Sequence, residues 1–268
     1  MATATGRWST SARRFAATQL IRIFAVNVRL SDALAARGWV ENDQPLWRSF
    51  ERTVGEALQE LPDDGTFVDL GGGRFCAYDA AIPRDRGVKL VAVDISPEEL
   101  ALNKTADETV VADVAQGLPF ADGSVDLLVS RVVLEHVDGV PAAIGHIHRV
   151  LAPGGRTIHF VPGRYATFAL AARLLPFKPL LKLLHFAIPA SVGVVEFDVH
   201  YDETDPVALE RRFRAAGFSD VEIAWTAAQA DYYRPVFPAF LAIVLYQTAV
   251  RVLRLRRRAA YVVVDARR

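Results

Sequence analysis

The chain has one cysteine and one methionine among its 268 residues. No internal disulfide can form, and no Cys/His cluster has the spacing of a zinc site, so a reducing cytoplasm suits it. Net charge is also missing: 31 Lys and Arg balance 31 Asp and Glu. The first half has no basic cluster, which argues against a nucleic acid held through its phosphates. No unbroken apolar run reaches the roughly twenty residues that a membrane-spanning helix needs. Met1 to Arg14 carries scattered arginines and threonines with no adjoining apolar core, so no secretory signal is read there.

What the chain does have is apolar mass. Hydrophobic residues make up 51% of it, enough for the core of one sizeable α/β domain with additions. The run Thr66-Phe67-Val68-Asp69-Leu70-Gly71-Gly72-Gly73 reads as a buried strand turning sharply into a loop. Glycines there accept positive φ and let a ligand approach the backbone amides, and the helix expected to follow would present its positive end. About twenty residues on, Val88 to Val93 is a second apolar strand, and Asp94 at its carboxyl end is placed to accept hydrogen bonds from the two hydroxyls of a ribose. The spacing points to a nucleoside cofactor. A glycine pair alone also occurs in turns that bind nothing, so the rest of the chain has to decide.

Strand and helix signals alternate onward. Ser96-Pro97-Glu98-Glu99 reads as an N-cap, a proline at the first helical position and an acidic first turn, predicting a helix to about Ala106. Thr109 to Ala112 is a short strand ending in Asp113, and Val125 to Ser130 is an apolar strand. Pro153-Gly154-Gly155 breaks the end of a helix before the strand Thr157 to Val161. Upstream, Phe15 to Leu34 predicts a lid or flank helix. Pro45 to Leu61 carries Trp47, Phe50, Val54 and Leu58 at helical spacing and should lie against the sheet.

In these motifs the chain resembles the class I S-adenosylmethionine-dependent methyltransferases, in the branch described as methyltransferase type 11. The likeness is detailed from about Phe67 to Phe160 and looser to the C-terminus. It implies a Rossmann-like, doubly wound α/β fold with a seven-stranded sheet in the order 3-2-1-4-5-7-6, the last strand antiparallel. Ala260 to Asp265 would supply that last strand, after a helix from Asp205-Pro206 to Arg214 and a strand from Val221 to Trp225. The implied cofactor is S-adenosylmethionine, with Asp69, Gly71, Gly72, Gly73, Asp94, Ile95, Asp113, Val114 and Arg131 as the residues that bind it. Ala121 to Asp126, Leu134-Glu135-His136-Val137 and Leu151 to Gly155 complete the match. Phe75 stands where the family usually has a third glycine, and the segment from Arg74 to Arg86 is short for a full helix.

Two other readings compete. A nicotinamide-dependent oxidoreductase would need a glycine at Cys76, and no Tyr-x-x-x-Lys pair is present. A non-catalytic, membrane-associated scaffold built on the same fold draws its support from Phe75.

The domain division expected is a helical flank or lid over residues 1–61 and a methyltransferase domain over 62–268, with helical insertions at about 164–200 and 227–259. The first insertion is apolar but broken by Arg173, Lys178, Lys182 and prolines; the second runs apolar and then basic, through Arg251, Arg254 and Arg256 to Arg258. Two readings stand for residues 235–258: contact with an anionic membrane surface, which would place the protein peripherally on its inner face, or a buried helix ending in a solvated arginine cluster. The partner expected is a small or lipid-linked acceptor, such as a saccharide, a quinone or a lipid intermediate. Methyl transfer needs alignment above all, with a base useful for a protonated acceptor. His136, after the fourth strand, and His200, beside the carboxylates of Glu196 and Asp198, are the candidate bases. Arg164, Tyr165 and His159, on and after the fifth strand, are the candidate acceptor-binding residues, and no metal site is expected.

Overall fold

A computed structural model describes residues 10–38, 40–174 and 199–268. The part of the first insertion that holds Glu196 and Asp198 lies outside the described residues. Seven strands, β1 (Thr66–Leu70), β2 (Lys89–Asp94), β3 (Glu108–Val111), β4 (Val125–Arg131), β5 (Leu151–Pro162), β6 (Ser219–Thr226) and β7 (Tyr261–Arg267), form one sheet in the order 3-2-1-4-5-7-6. Strands β1 to β5 run parallel, while β7 lies antiparallel between β5 and β6. This is the expected sheet.

Strand alternation separates two cores. Val68, Val91, Leu128 and Val264 face one side, where helix α4 (Val140–Val150) and helix α6 (Pro206–Ala215) add Ile144, Ile147, Leu209 and Phe213. Phe67, Leu90, Leu127 and Ile158 face the other, under α2 (Gln44–Gln59) and its Phe50, Val54 and Leu58. Helix α6 begins where its sequence says it should: the Asp205 carboxylate accepts the N–H groups of Val207 and Ala208, and Pro206 follows. Helix α5 is Thr167–Leu174. Helices α1 (Thr10–Ala35) and α7 (Phe237–Val252) pack on each other around Phe240 and Val244, tied by an Asn27 side-chain oxygen that accepts the Phe237 N–H.

Of two helices expected near the glycine turn, one is cut short and the other is replaced by 3-10 turns. Helix α3 covers only Pro97–Leu100, although Ser96 caps it as read. The reason is Asn103, whose side-chain oxygen accepts the N–H groups of Thr105 and Ala106 while its amide donates to the Gly73 carbonyl. A local turn of this kind competes with the helix ladder and wins. After the glycines, the chain forms two 3-10 turns, Asp79–Ala81 and Arg84–Arg86, rather than a helix presenting its positive end. Arg84 fastens this segment by bonds to Asp79, Asp107 and the Thr105 carbonyl.

Candidate functional site

A cleft of about 330 Å³ opens at the carboxyl ends of the parallel strands, the edge where open α/β sheets bind ligands. It is lined by Gly71 after β1, Asp94 and Ile95 after β2, Asp113 and Val114 after β3, Arg131 to Val133 after β4, and then His136, Asp138 and His200. Residues far apart in sequence converge because every parallel strand ends at the same edge.

The glycines act differently from the expectation. The Gly71 and Gly72 amides both donate to the Val93 carbonyl, and the Gly73 amide donates to the Asp94 carboxylate at 3.1 Å, so none of the three is offered to a ligand. What matters is the missing Cβ. At Gly71, with φ +77°, a Cβ would sit 2.3 Å from a Val133 methyl; at Gly72 it would sit 3.0 Å from the Ala92 Cβ. Asp94 is thereby fixed: one carboxylate oxygen accepts the Gly73 N–H, the other the Ser96 N–H at 2.9 Å. A carboxylate has about four lone-pair directions, so capacity remains for hydroxyl donors. Asp113 holds its turn likewise, accepting the Ala115 N–H.

Asp69 lies beneath the loop instead of lining the cleft. It is buried, and burial pushes its carboxyl up to about 6 against the lowering effects of a Cys76 thiol bond and the nearby Arg131. Arg131 lines the cleft with its guanidinium over the Trp47 ring, 5.6 Å from the centroid. Phe75 projects into solvent, 58% exposed, and is not among the lining residues. The crevice is not closed by its ring.

Val132 is the strained residue of the cleft. Its φ of +58° is a conformation that a β-branched side chain adopts only when its surroundings impose it. The Val132 N–H donates to the Phe160 carbonyl, and the chain then enters the 3-10 turn Leu134–His136. That turn buries Glu135, at 1% exposure, and puts His136 on the cleft. The Glu135 carbonyl accepts the N–H groups of both His200 and Tyr201, which brings His200 to the same wall.

Of the three residues expected to bind an acceptor, none lines this cleft. His159 is a correction. It is fully buried within β5, its ring nitrogens 2.7 Å from the Ser130 hydroxyl and 2.8 Å from the Thr157 hydroxyl, and its ring packs on Phe213. Burial lowers its pKa to about 3, so the imidazole is neutral. The strand runs on to Pro162, which leaves His159 too deep to reach the edge. Arg164 and Tyr165 stand past the end of β5, where Arg164 pairs with Asp202 at 3.5 Å and the Arg258 guanidinium lies 5.5 Å from the Tyr165 ring centroid. Sequence reasoning gave no role to Val132, Val133 or Asp138; the sign of Val132 φ has no sequence signal at all.

Among the described residues that line the cleft, charge leans negative, with Asp94, Asp113 and Asp138 against the guanidinium of Arg131. An acid at the tip of β2, a second at the tip of β3 and a glycine turn without side chains fit a nucleoside that carries a cationic amino-acid tail, as S-adenosylmethionine does.

Comparison with known proteins gives the same picture. The family model described as "Methyltransferase domain" matches residues 68–159. The demethylmenaquinone methyltransferase of Thermus thermophilus is 30% identical over 183 residues, which cover 65% of this chain and 81% of that one. The malonyl-[acyl-carrier protein] O-methyltransferase of Pectobacterium atrosepticum is 32% identical over 109 residues, so the match spans 43% of its length and 39% of this chain. In fold, the chain is similar to geranyl diphosphate C-methyltransferase from Streptomyces coelicolor A3(2), solved with Mg²⁺, geranyl diphosphate and S-adenosylhomocysteine. That likeness has a TM-score of 0.51 at 18% identity and covers 81% of this chain and 77% of the other.

Proposed function

This chain belongs to the S-adenosylmethionine-dependent methyltransferases, and on that premise we propose that it methylates an amphipathic or lipid-linked acceptor, a prenylated quinone ring foremost, at the face of a membrane. Bound S-adenosylmethionine supplies an electrophilic methyl group on a sulfonium. Asp94 and Asp113 would hold the nucleoside, with Gly71, Ile95, Val114 and Arg131 completing its walls. Asp69, Gly72 and Gly73 would act from behind, by shaping the loop. His136 and His200, which also line the cleft, would receive an acceptor's proton. Arg164 and Tyr165, past the end of β5, remain assigned to acceptor orientation although neither lines the cleft.

The observation that carries this reading is the pairing of two β-tip carboxylates with a side-chain-free turn in one cleft. The quinone is favoured over a saccharide by the demethylmenaquinone methyltransferase relative, which is matched over most of its length.

The membrane face is read from α7. No described helix is long and apolar enough to cross a membrane. Yet Leu241, Leu245 and Val252 of α7 and then Leu253 and Leu255 are exposed, beside exposed Ile23, Val26 and Leu30 of the flank helix α1. Residues 236–260 contain no Asp or Glu, and Arg254, Arg257 and Arg258 are exposed among them. An apolar face followed by acid-free cations suits an anionic lipid surface, each nearby cation contributing about 1 kcal/mol. We place the protein on the cytoplasmic face of that membrane.

The decisive experiment incubates the protein with methyl-labelled S-adenosylmethionine and a panel of acceptors: demethylated prenyl quinones, lipid-linked saccharides and free sugars. Label transferred to the quinone supports the proposal; label found only on a water-soluble sugar, or on nothing while S-adenosylhomocysteine binds, overturns the acceptor assignment.

A further inference from the structure

Glu135 is a buried carboxyl that the fold leaves without hydrogen-bond partners on either oxygen among the described residues. Such groups are rare because they cost stability, and each needs a reason. Beside it is the imidazole of His136, whose Nε2 lies 3.7 Å from Glu135 Oε1. The other titratable group facing it is the phenol of Tyr201, whose ionisation is pushed up by burial and by Glu135 itself.

We propose that Glu135 is a positioning residue that shares a proton with His136, steering the imidazole and stabilising its charged form when it takes the acceptor's proton. The proposal rests on the methyl-transfer reading and deepens it. In that step the acceptor atom bonds to the transferred methyl, and the electron pair of the broken carbon–sulfur bond stays on sulfur. With the pair in its deprotonated form, the acceptor's proton passes to the neutral His136 imidazole, and the Glu135 carboxylate balances the imidazolium that results.

Three observations support this. Placement comes first: the turn that hides Glu135 is the same one that sets His136 on the cleft wall. Second, burial makes ionisation of Glu135 unfavourable, raising its carboxyl to about 8 against the lowering effect of its own backbone N–H, and a protonated imidazole at 3.7 Å would relieve this further. The two groups then titrate as a unit rather than separately. Third, the structural work of residue 135 is done by its carbonyl, which accepts the His200 and Tyr201 N–H groups. The backbone does that whatever the side chain is, so the carboxyl needs a separate explanation.

The test uses the full chain with ¹³C/¹⁵N-labelled histidine and follows the His136 ring resonances by NMR from pH 5 to 10. Replacing Glu135→Gln should lower the His136 midpoint by about one pH unit or more, and Glu135→Asp should recover part of the shift. Coincident curves for the wild type and Glu135→Gln would overturn the proposal. Should the Gln variant not fold, wild-type protein labelled at glutamate Cδ decides: the Glu135 carboxyl carbon and the His136 ring must report the same titration steps, and independent midpoints refute the coupling. Calorimetric titration of wild type with S-adenosylhomocysteine separates the two readings. No binding sinks the methyltransferase reading, whereas binding with coincident histidine curves sinks only the role given to Glu135.

Discussion

Replacing Asp94→Ala should cripple cofactor binding while leaving a folded protein. In the structure each Asp94 oxygen already serves the protein, one bracing the Gly73 amide and the other the Ser96 amide. The remaining lone pairs are those that the proposed nucleoside hydroxyls would use. Hydrogen bonds to a charged acceptor contribute about 1.5–3 kcal/mol each, so two lost to ligand hydroxyls, partly replaced by water, weaken binding by about 2–4 kcal/mol. That is roughly 30- to 1000-fold in Kd. The fold loses less, about 1–2 kcal/mol, because the freed amides reach solvent at this half-exposed edge. Asp94→Asn keeps one acceptor oxygen and should fall between. The assay is isothermal titration with S-adenosylhomocysteine, beside a urea melt of each variant without ligand. Affinity within about threefold of wild type in a folded Asp94→Ala protein would refute the reasoning, since the carboxylate would then be a loop brace and nothing more.

Val132→Gly tests the strain in the cleft: relief of about 1–2 kcal/mol at φ +58° opposes a glycine entropy cost of about 0.5–1 kcal/mol. Urea melts should therefore show stability unchanged or slightly raised, and a loss above about 2 kcal/mol contradicts the strain. His159 should make the fold acid-sensitive. Its folded pKa is depressed to about 3 against about 6.5 unfolded, so its contribution is complete above pH 6.5 and falls away toward pH 3, by up to about 1.4 kcal/mol per pH unit. The stability gap between wild type and His159→Gln should accordingly shrink from pH 7 to pH 4; a gap that stays constant rules this out. For the membrane face, Leu245→Glu should reduce co-flotation with phosphatidylserine vesicles several-fold without changing the far-UV spectrum. Equal recovery of wild type and variant, or no recovery of either, removes the membrane from the proposal.

The parts of this molecule that were legible in the sequence are those fixed by local chemistry repeated along the chain. Apolar runs ending in Gly71, Asp94 and Asp113 predict strands that finish at one edge, and the Asp205-Pro206 cap predicts where α6 begins. Given those, the convergence of three strand tips into one cleft follows from parallel topology, with no contact information needed. The illegible parts are those where one side chain overrules its neighbours. Asn103 ends α3 early because a turn two and three residues ahead takes its oxygen, and helix propensity says nothing about that choice. His159 looked like an edge residue because the strand was expected to stop at Val161 in a chain where the true edge lies beyond Pro162.

The turn after β4 carries this argument furthest. From the sequence alone, Leu134-Glu135-His136 offers one acid and one base side by side, and adjacency in a loop says nothing about which of them meets the ligand. The positive φ at Val132 decides it by reversing the chain before the 3-10 turn begins, so that consecutive residues point to opposite environments: Leu134 and Glu135 inward, His136 outward. A carboxyl driven inward in this way loses water and resists ionisation, while the imidazole beside it keeps access to the cleft. Local backbone strain and a buried acid are thus two consequences of one bend. Freeing the backbone at this bend with Val132→Gly should therefore disturb the His136 titration even where the melt is unchanged, which ties the backbone strain to the chemistry of the site.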